Sequence, residues 1–185
     1  ISCSLVGSEM CIRDRFIRHP EKPFYAASVY APNGCSPDKK TEQAKLAYKL
    51  HWFDMFNRRA LYLKKTGYPV VIGGDFNVMM QDIDVFDGSR FKNSPLYRKE
   101  VWDKIKALQF SGYHDAFRLL HPQAEGFTFW DYTANSFVTN SGLRIDYLFI
   151  TAQFAEQLVT CGADKSLRSM DKPSDHTALV AEFGK

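Results

Sequence analysis

The sequence has no apolar run approaching the length of a membrane span, which excludes a helical transmembrane segment. Its four cysteines, Cys3, Cys11, Cys35 and Cys161, show neither metal-ligand spacing nor the pattern of a secreted disulfide framework. A reducing cytoplasm is the default compartment. Internal repeats, low-complexity tracts and linkers are also absent from these residues. No charge sign dominates: the net charge of +3 and pI near 8.6 permit a polyanionic partner without requiring one. Position 1 is not Met, and Ile1 to Arg15 lacks the basic and apolar regions of a signal peptide. What is present is 185 residues, 45% hydrophobic and 15% aromatic, which suits one domain with a sizeable core.

Residues 1–15 show no periodicity that would make an element. Gly7 to Arg15 resembles translated adapter sequence fused to a truncated reading frame. Residues 1–15 are therefore read as a non-native leader and 16–185 as the folded unit. Removing the leader takes away two basic residues (Arg13, Arg15) and two acidic ones (Glu9, Asp14), so the charge balance is unchanged.

Phe24 to Tyr30 reads as a strand that breaks at the turn Ala31-Pro32-Asn33-Gly34. A long helix from about Glu42 to Lys65 follows, with Leu46, Leu50, Phe53, Phe56, Ala60 and Leu63 in one apolar stripe. Gly67 stops it, and the β-branched run Val70 to Ile72 is a buried strand. A helix between two such strands is a crossover, which predicts that they are sheet neighbours. Met79 to Pro95 reads as a long surface loop. A second helix is expected from about Leu96 to Gln109, with Tyr97, Val101, Ile105 and Leu108 on one face. Short strands are expected over Phe127–Asp131, Arg144–Thr151, Leu158–Gly162 and Ala178–Phe183.

Gly73-Gly74-Asp75-Phe76-Asn77 ends the Val70 strand. The glycines let the backbone leave it, and alternation puts Asp75 and Asn77 on one side with Phe76 on the other. A carboxylate and a carboxamide side by side suit a hard cation and a phosphate oxygen, although the same residues also make an ordinary Asx-turn. Tyr30 closes the first strand, Asp146 is expected on the face of Arg144 and Leu148, and Asp175-His176 opens the last strand. Singly, these read as packing, a salt bridge and a loop. Together they form a set of polar groups at sheet exits.

Tyr30-Ala31-Pro32-Asn33-Gly34, Gly74-Asp75-Phe76-Asn77, Phe127-Thr128-Phe129-Trp130-Asp131-Tyr132, Gly142-Leu143-Arg144-Ile145-Asp146-Tyr147 and Lys172-Pro173-Ser174-Asp175-His176 occur in that order. With Gly112 to Arg118, they resemble the motifs of the exonuclease III family, the bacterial apurinic/apyrimidinic endonucleases of the exonuclease/endonuclease/phosphatase superfamily. The resemblance runs from about Phe24 to Phe183. It implies an α/β four-layered sandwich of two packed sheets with outer helices. It also implies a hydrolase acting on double-stranded DNA with abasic sites or 3′ ends, as abasic-site endonuclease and 3′-to-5′ exonuclease, monomeric and dependent on Mg²⁺ or Mn²⁺. In that family's terms Asp75 orients and deprotonates the attacking water, and Asn77 holds a phosphate oxygen. His176, held by Asp146, stabilises developing charge, and Tyr30 supports the phosphate. The metal shell draws on Asp75, Asn77, Asp175 and His176. Phe129 and Trp130 are implied at the pocket for a sugar lacking its base, and Arg90, Lys92 and Lys172 at the phosphate backbone.

The family's opening strand, with its metal-site Asn, and a second strand ending in a metal-binding Glu have no counterpart before Phe16. Residues 16–185 are therefore expected to be the C-terminal two-thirds of such a domain, with part of one sheet missing. The Phe24 and Val70 strands are expected to lose partners. Weak Mg²⁺ binding and little or no cleavage of abasic DNA follow from the same expectation. A phosphatase or phosphodiesterase acting on inositol phosphates or lipids, and a non-catalytic nucleic-acid-binding remnant, are the alternatives.

Overall fold

A computed structural model describes residues 12–35 and 38–184. Its centre is a five-stranded mixed sheet built from β1 (Ile12–Ile17), β2 (Phe24–Tyr30), β3 (Val70–Asp75), β4 (Tyr113–Asp115) and β5 (Asp146–Thr151), in the order β1-β2-β3-β5-β4. Strands β2 and β3 are parallel neighbours joined by helix α1 (Lys39–Lys65), as the crossover pattern predicts. Strand β5 runs antiparallel to β3 and β4.

The stripe on α1 places Phe53, Phe56, Ala60 and Leu63 in the core, joined by Trp52, which stacks on Phe56 at 5.3 Å. Helix α2 (Lys99–Phe110) adds Val101, Ile105 and Leu108 to the same cluster. It starts later than the sequence suggests because Pro95–Tyr97 forms a separate 3₁₀ turn. Phe76 is fully buried beneath β3 and meets Phe56, Tyr147 and Phe149 edge-on.

The other face of the sheet packs on a two-stranded antiparallel sheet, β6 (Leu158–Ala163) with β7 (Leu179–Phe183). Ile150, Phe117 and Cys161 fill the space between them. Phe117 belongs to the short helix α3 (Ala116–Leu120), and α4 (Ala152–Ala155) links β5 to β6.

Three expectations about the elements change. First, a strand precedes Phe16 and crosses the 15/16 boundary: β1 pairs with β2 over Ile12–Ile17, and the Phe16 ring meets Tyr25 at a tilt and Tyr68 edge-on, each at 4.9 Å. Residues 1–11 lie outside the described residues. Consequently β2 has β1 and β3 as neighbours and β3 has β2 and β5, so neither strand is left without a partner. Second, β3 runs through both glycines to Asp75. Gly74 is needed by the sheet itself, since its φ is +143° and a Cβ there would sit 2.0 Å from the Val29 carbonyl oxygen. Third, Phe127–Asp131 forms no strand. Phe129 makes only isolated bridges, to Leu143 and to His176.

The segment read as a surface loop after Met79 is also partly interior. Met79, Asp84 and Val85 are buried. Asp84 takes Nε–H of Arg144 at 2.7 Å and the backbone N–H groups of Met80 and Gln81, each at 3.0 Å. Arg118 donates to the same carboxylate, and Arg144 Nη1 reaches Asp115 at 2.8 Å. One buried and one partly buried cation thus compensate two buried carboxylates, which their desolvation requires.

Candidate active site

Register builds the site. Tyr30 on β2 lies opposite Asp75 on β3, and Asp75 lies opposite Asp146 on β5. Three polar side chains therefore form one row where the strands end. Asn77 lies just beyond, with φ +50°, a conformation that Asn tolerates better than most residues. Its backbone N–H donates to Asp75 Oδ1 at 2.7 Å and its Nδ2 to Asp75 Oδ2 at 2.9 Å. Nδ2 also donates to the Ala31 carbonyl at 2.9 Å. With both amide hydrogens engaged, the Asn77 Oδ1 is the atom left to meet a cation or water.

Asp146 Oδ2 accepts the Thr128 hydroxyl at 2.7 Å and lies 2.8 Å from His176 Nδ1. Asp146 therefore turns to His176, and the Arg144 expected on its face is instead committed to Asp84 and Asp115. The His176 ring meets Phe129 edge-on at 5.0 Å. The segment carrying Asp175 and His176 is tied down by Trp130 N–H, which donates to the Asp175 carbonyl at 2.9 Å, and by Arg168, which donates to the Ser174 and Trp130 carbonyls.

The electrostatics follow from this crowding. Burial, and then the like charge of Asp146, raise the Asp75 pKa to about 7, against the pull of the Asn77 N–H, His176 and Lys49. For His176, burial acts to lower the pKa. The Asp146 hydrogen bond and the charges of Asp146, Asp75 and Asp175 outweigh it, and the net shift is upward. A carboxylate that titrates near neutrality beside an imidazole whose pKa is raised is an arrangement for moving a proton and receiving negative charge.

Among the residues proposed from sequence, Tyr30, Asp75, Asn77, Asp146, His176 and Phe129 are brought together along these elements, with Asp175 adjoining His176. Trp130 is not. Alternation points Phe129 toward His176 and Trp130 away, where it is fully buried against Phe137 at 5.2 Å. Arg90 is exposed and paired with Asp87 at 3.2 Å. Lys92 and Lys172 are exposed in their loops.

Two contributors escaped the sequence reading. Thr128 follows no pattern that marks it. Lys49 falls inside the apolar stripe of α1, between Leu46 and Phe53, and a lysine there is the signal that was available.

Among the described residues no three His, Cys, Asp or Glu side chains are gathered tightly enough to enclose a metal ion. The donors at hand are oxygens, from Asp75, Asn77, Asp146 and Asp175. Such a set fits a hard cation that keeps several waters and is completed by substrate phosphate.

Known proteins resemble the chain in sequence and fold. A model described as the Endonuclease/Exonuclease/phosphatase family matches residues 18–176. The chain is 35% identical over 134 residues to exodeoxyribonuclease III of Haemophilus influenzae, covering 66% of this chain and 49% of that protein. It is 31% identical over 172 residues to recombination repair protein 1 of Drosophila melanogaster, covering 91% of this chain and 24% of that one. An AP endonuclease structure from Archaeoglobus fulgidus superposes with a TM-score of 0.79 at 30% identity, covering 86% of this chain and 61% of that one. The chain thus spans half or less of the length of these two sequence relatives.

Proposed function

The chain belongs to the Endonuclease/Exonuclease/phosphatase family, and from that premise we propose that its site hydrolyses phosphodiester bonds in DNA, at abasic sites and at 3′ ends. The observation that carries the reading is the Asp75–Asp146–His176 arrangement at the ends of β3 and β5. In it, Asp75 takes the proton of the attacking water, a task suited to a carboxylate with a pKa of about 7. His176 donates to the phosphate through Nε2, the ring nitrogen other than the Nδ1 that Asp146 holds. The exposed Tyr30 hydroxyl supports the phosphate from the other end of the row. Phe129, half-buried beside His176, offers an apolar wall to a sugar without its base. Arg90, Lys92 and Lys172 meet the phosphate backbone, and the protein acts as a monomer.

Asp75, Asn77 and Asp175 would hold Mg²⁺ or Mn²⁺, with His176 at the edge of the set. When bound, such an ion polarises the phosphate and lowers the pKa of its water. The row of carboxylates supports this assignment, because a cation relieves the repulsion between Asp75 and Asp146. The repair and exonuclease names of the relatives favour DNA over inositol phosphates or lipids. The test is a substrate panel in Mg²⁺ and Mn²⁺: abasic duplex, recessed 3′ ends, and an inositol phosphate. Release of phosphate from the inositol substrate with both DNAs intact would replace this reading.

A further inference from the structure

Lys49 is a charged side chain on α1 with no contact to solvent. Its Nζ donates to three backbone carbonyls: Asn77 at 2.6 Å, Asn33 at 3.1 Å and Pro95 at 3.2 Å. Three ammonium hydrogens meet three acceptors, so the group is satisfied without a carboxylate partner. The acceptors come from three different segments. Asn33 lies in the turn after β2, Asn77 in the turn after β3, and Pro95 opens the 3₁₀ turn ahead of α2. The first two segments leave the sheet directly after Tyr30 and Asp75, at the edge that carries the Tyr30–Asp75–Asp146 row.

The bond to Asn77 matters most. Its peptide carries the positive φ of +50°, and its side chain both clamps Asp75 and reaches the Ala31 carbonyl. Without that anchor the Asn77 backbone could leave its positive-φ conformation, which would carry the side-chain amide away from Asp75. We infer that Lys49 is a positioning residue for the reaction: from inside α1 it fixes the Asn77 peptide, and through it the geometry of Asp75 and the open Asn77 Oδ1. The catalytic consequence rests on the nuclease reading above, whereas the structural consequence at Asn77 does not. A misplacement of about an ångström at a reacting group costs on the order of a hundredfold in rate. Lys49 therefore acts on turnover and leaves DNA binding to the outer loops.

The experiment compares Lys49→Met, which keeps the stem and removes the donors, with Leu63→Ala. Leu63 is buried on the same helix about 21 Å further along its axis, away from the site. In ¹⁵N-labelled protein, Lys49→Met is expected to shift or broaden the Asn77 backbone and side-chain amide signals, and Leu63→Ala to leave them in place. On abasic duplex with Mg²⁺, Lys49→Met is expected to lower kcat about 10- to 100-fold with KM within about threefold. Leu63→Ala should keep kcat within about threefold. Unmoved Asn77 signals, or a kcat loss no larger than that of Leu63→Ala, would overturn the inference. If Lys49→Met does not fold, the wild-type chain decides: the Lys49 ammonium protons should be observable and slow to exchange, with a coupling to the Asn77 carbonyl, and their absence overturns the inference. A wild type that cleaves no better than Asp75→Asn sinks the nuclease reading instead, and the Asn77 signals still decide the role of Lys49.

Discussion

Asp75 and Asp146 face each other as a register pair between β3 and β5, so the backbone ladder itself holds two carboxylates side by side. Asn77 braces one of them and His176 the other. Burial, and after it this juxtaposition, raise the Asp75 pKa, which makes stability depend on pH in a defined direction.

Asp75 titrates at about 7 in the fold, against an ordinary value of 3.8. Below about pH 4 both states are protonated and this group costs nothing. As pH rises toward 7 the unfolded chain releases the proton first, and the fold loses stability, on the order of 2–4 kcal/mol at most. His176 acts in the same direction: its raised pKa stabilises the fold below its ordinary 6.5, and this is lost as pH rises through the folded value. Tm should therefore fall between pH 5 and pH 8, and Asp75→Asn should flatten the acid part of that fall. Added Mg²⁺ should raise Tm most at pH 8. A wild-type Tm that rises with pH over this range would contradict the assignment.

Removing Asp146 as the partner of His176 should return the imidazole toward its ordinary range. In Asp146→Asn, the His176 ring signals followed by NMR should titrate at lower pH than in wild type. An unchanged titration would mean that Asp146 does not hold the ring.

Asp84 should be worth more to the fold than its place in an aperiodic stretch implies. Asp84→Asn leaves Arg144 and Arg118 short of a buried partner and should cost about 3–5 kcal/mol in urea unfolding. A loss below about 1 kcal/mol would show that the network is dispensable.

Phe129 and Trp130 should separate by phenotype. Trp130→Ala opens a core cavity and should cost about 3–5 kcal/mol. Phe129→Ala should cost less stability and weaken binding of abasic duplex, read by fluorescence anisotropy. The reverse pattern would place Trp130 at the ligand.

Much of this was legible in the residues. The α1 stripe, the β2–α1–β3 crossover and the inward turn of Phe76 follow from periodicity, because each is a local pattern with a single buried face. The row of polar strand ends was visible only as separate candidates, since pairing register is a long-range property. Asp75 opposite Asp146 could not be read from either segment alone. The buried Asp84–Arg144–Asp115 network was missed for a related reason: charged residues in an aperiodic stretch look solvated until a distant partner neutralises them. Trp130 lies apart from Phe129 because a motif names neighbours, while the backbone sends these two side chains to opposite sides. Lys49 broke the apolar stripe of α1 in plain view, but its three acceptors are backbone carbonyls, which side-chain patterns do not show.

The central claim is that Asp75 is the base of a metal-assisted phosphodiester hydrolysis. Its most direct test is single-turnover nicking of an abasic duplex, with the protein in excess over DNA, Mg²⁺ saturating, and Asp75→Asn measured alongside at matched binding. The enzyme excess lets slow cleavage register. The account predicts slow cleavage by the wild-type chain, in keeping with the weak Mg²⁺ binding expected from its sequence, that falls at least about a hundredfold in Asp75→Asn while duplex binding is retained. Equal rates for the two proteins, or a loss of less than tenfold, would contradict it.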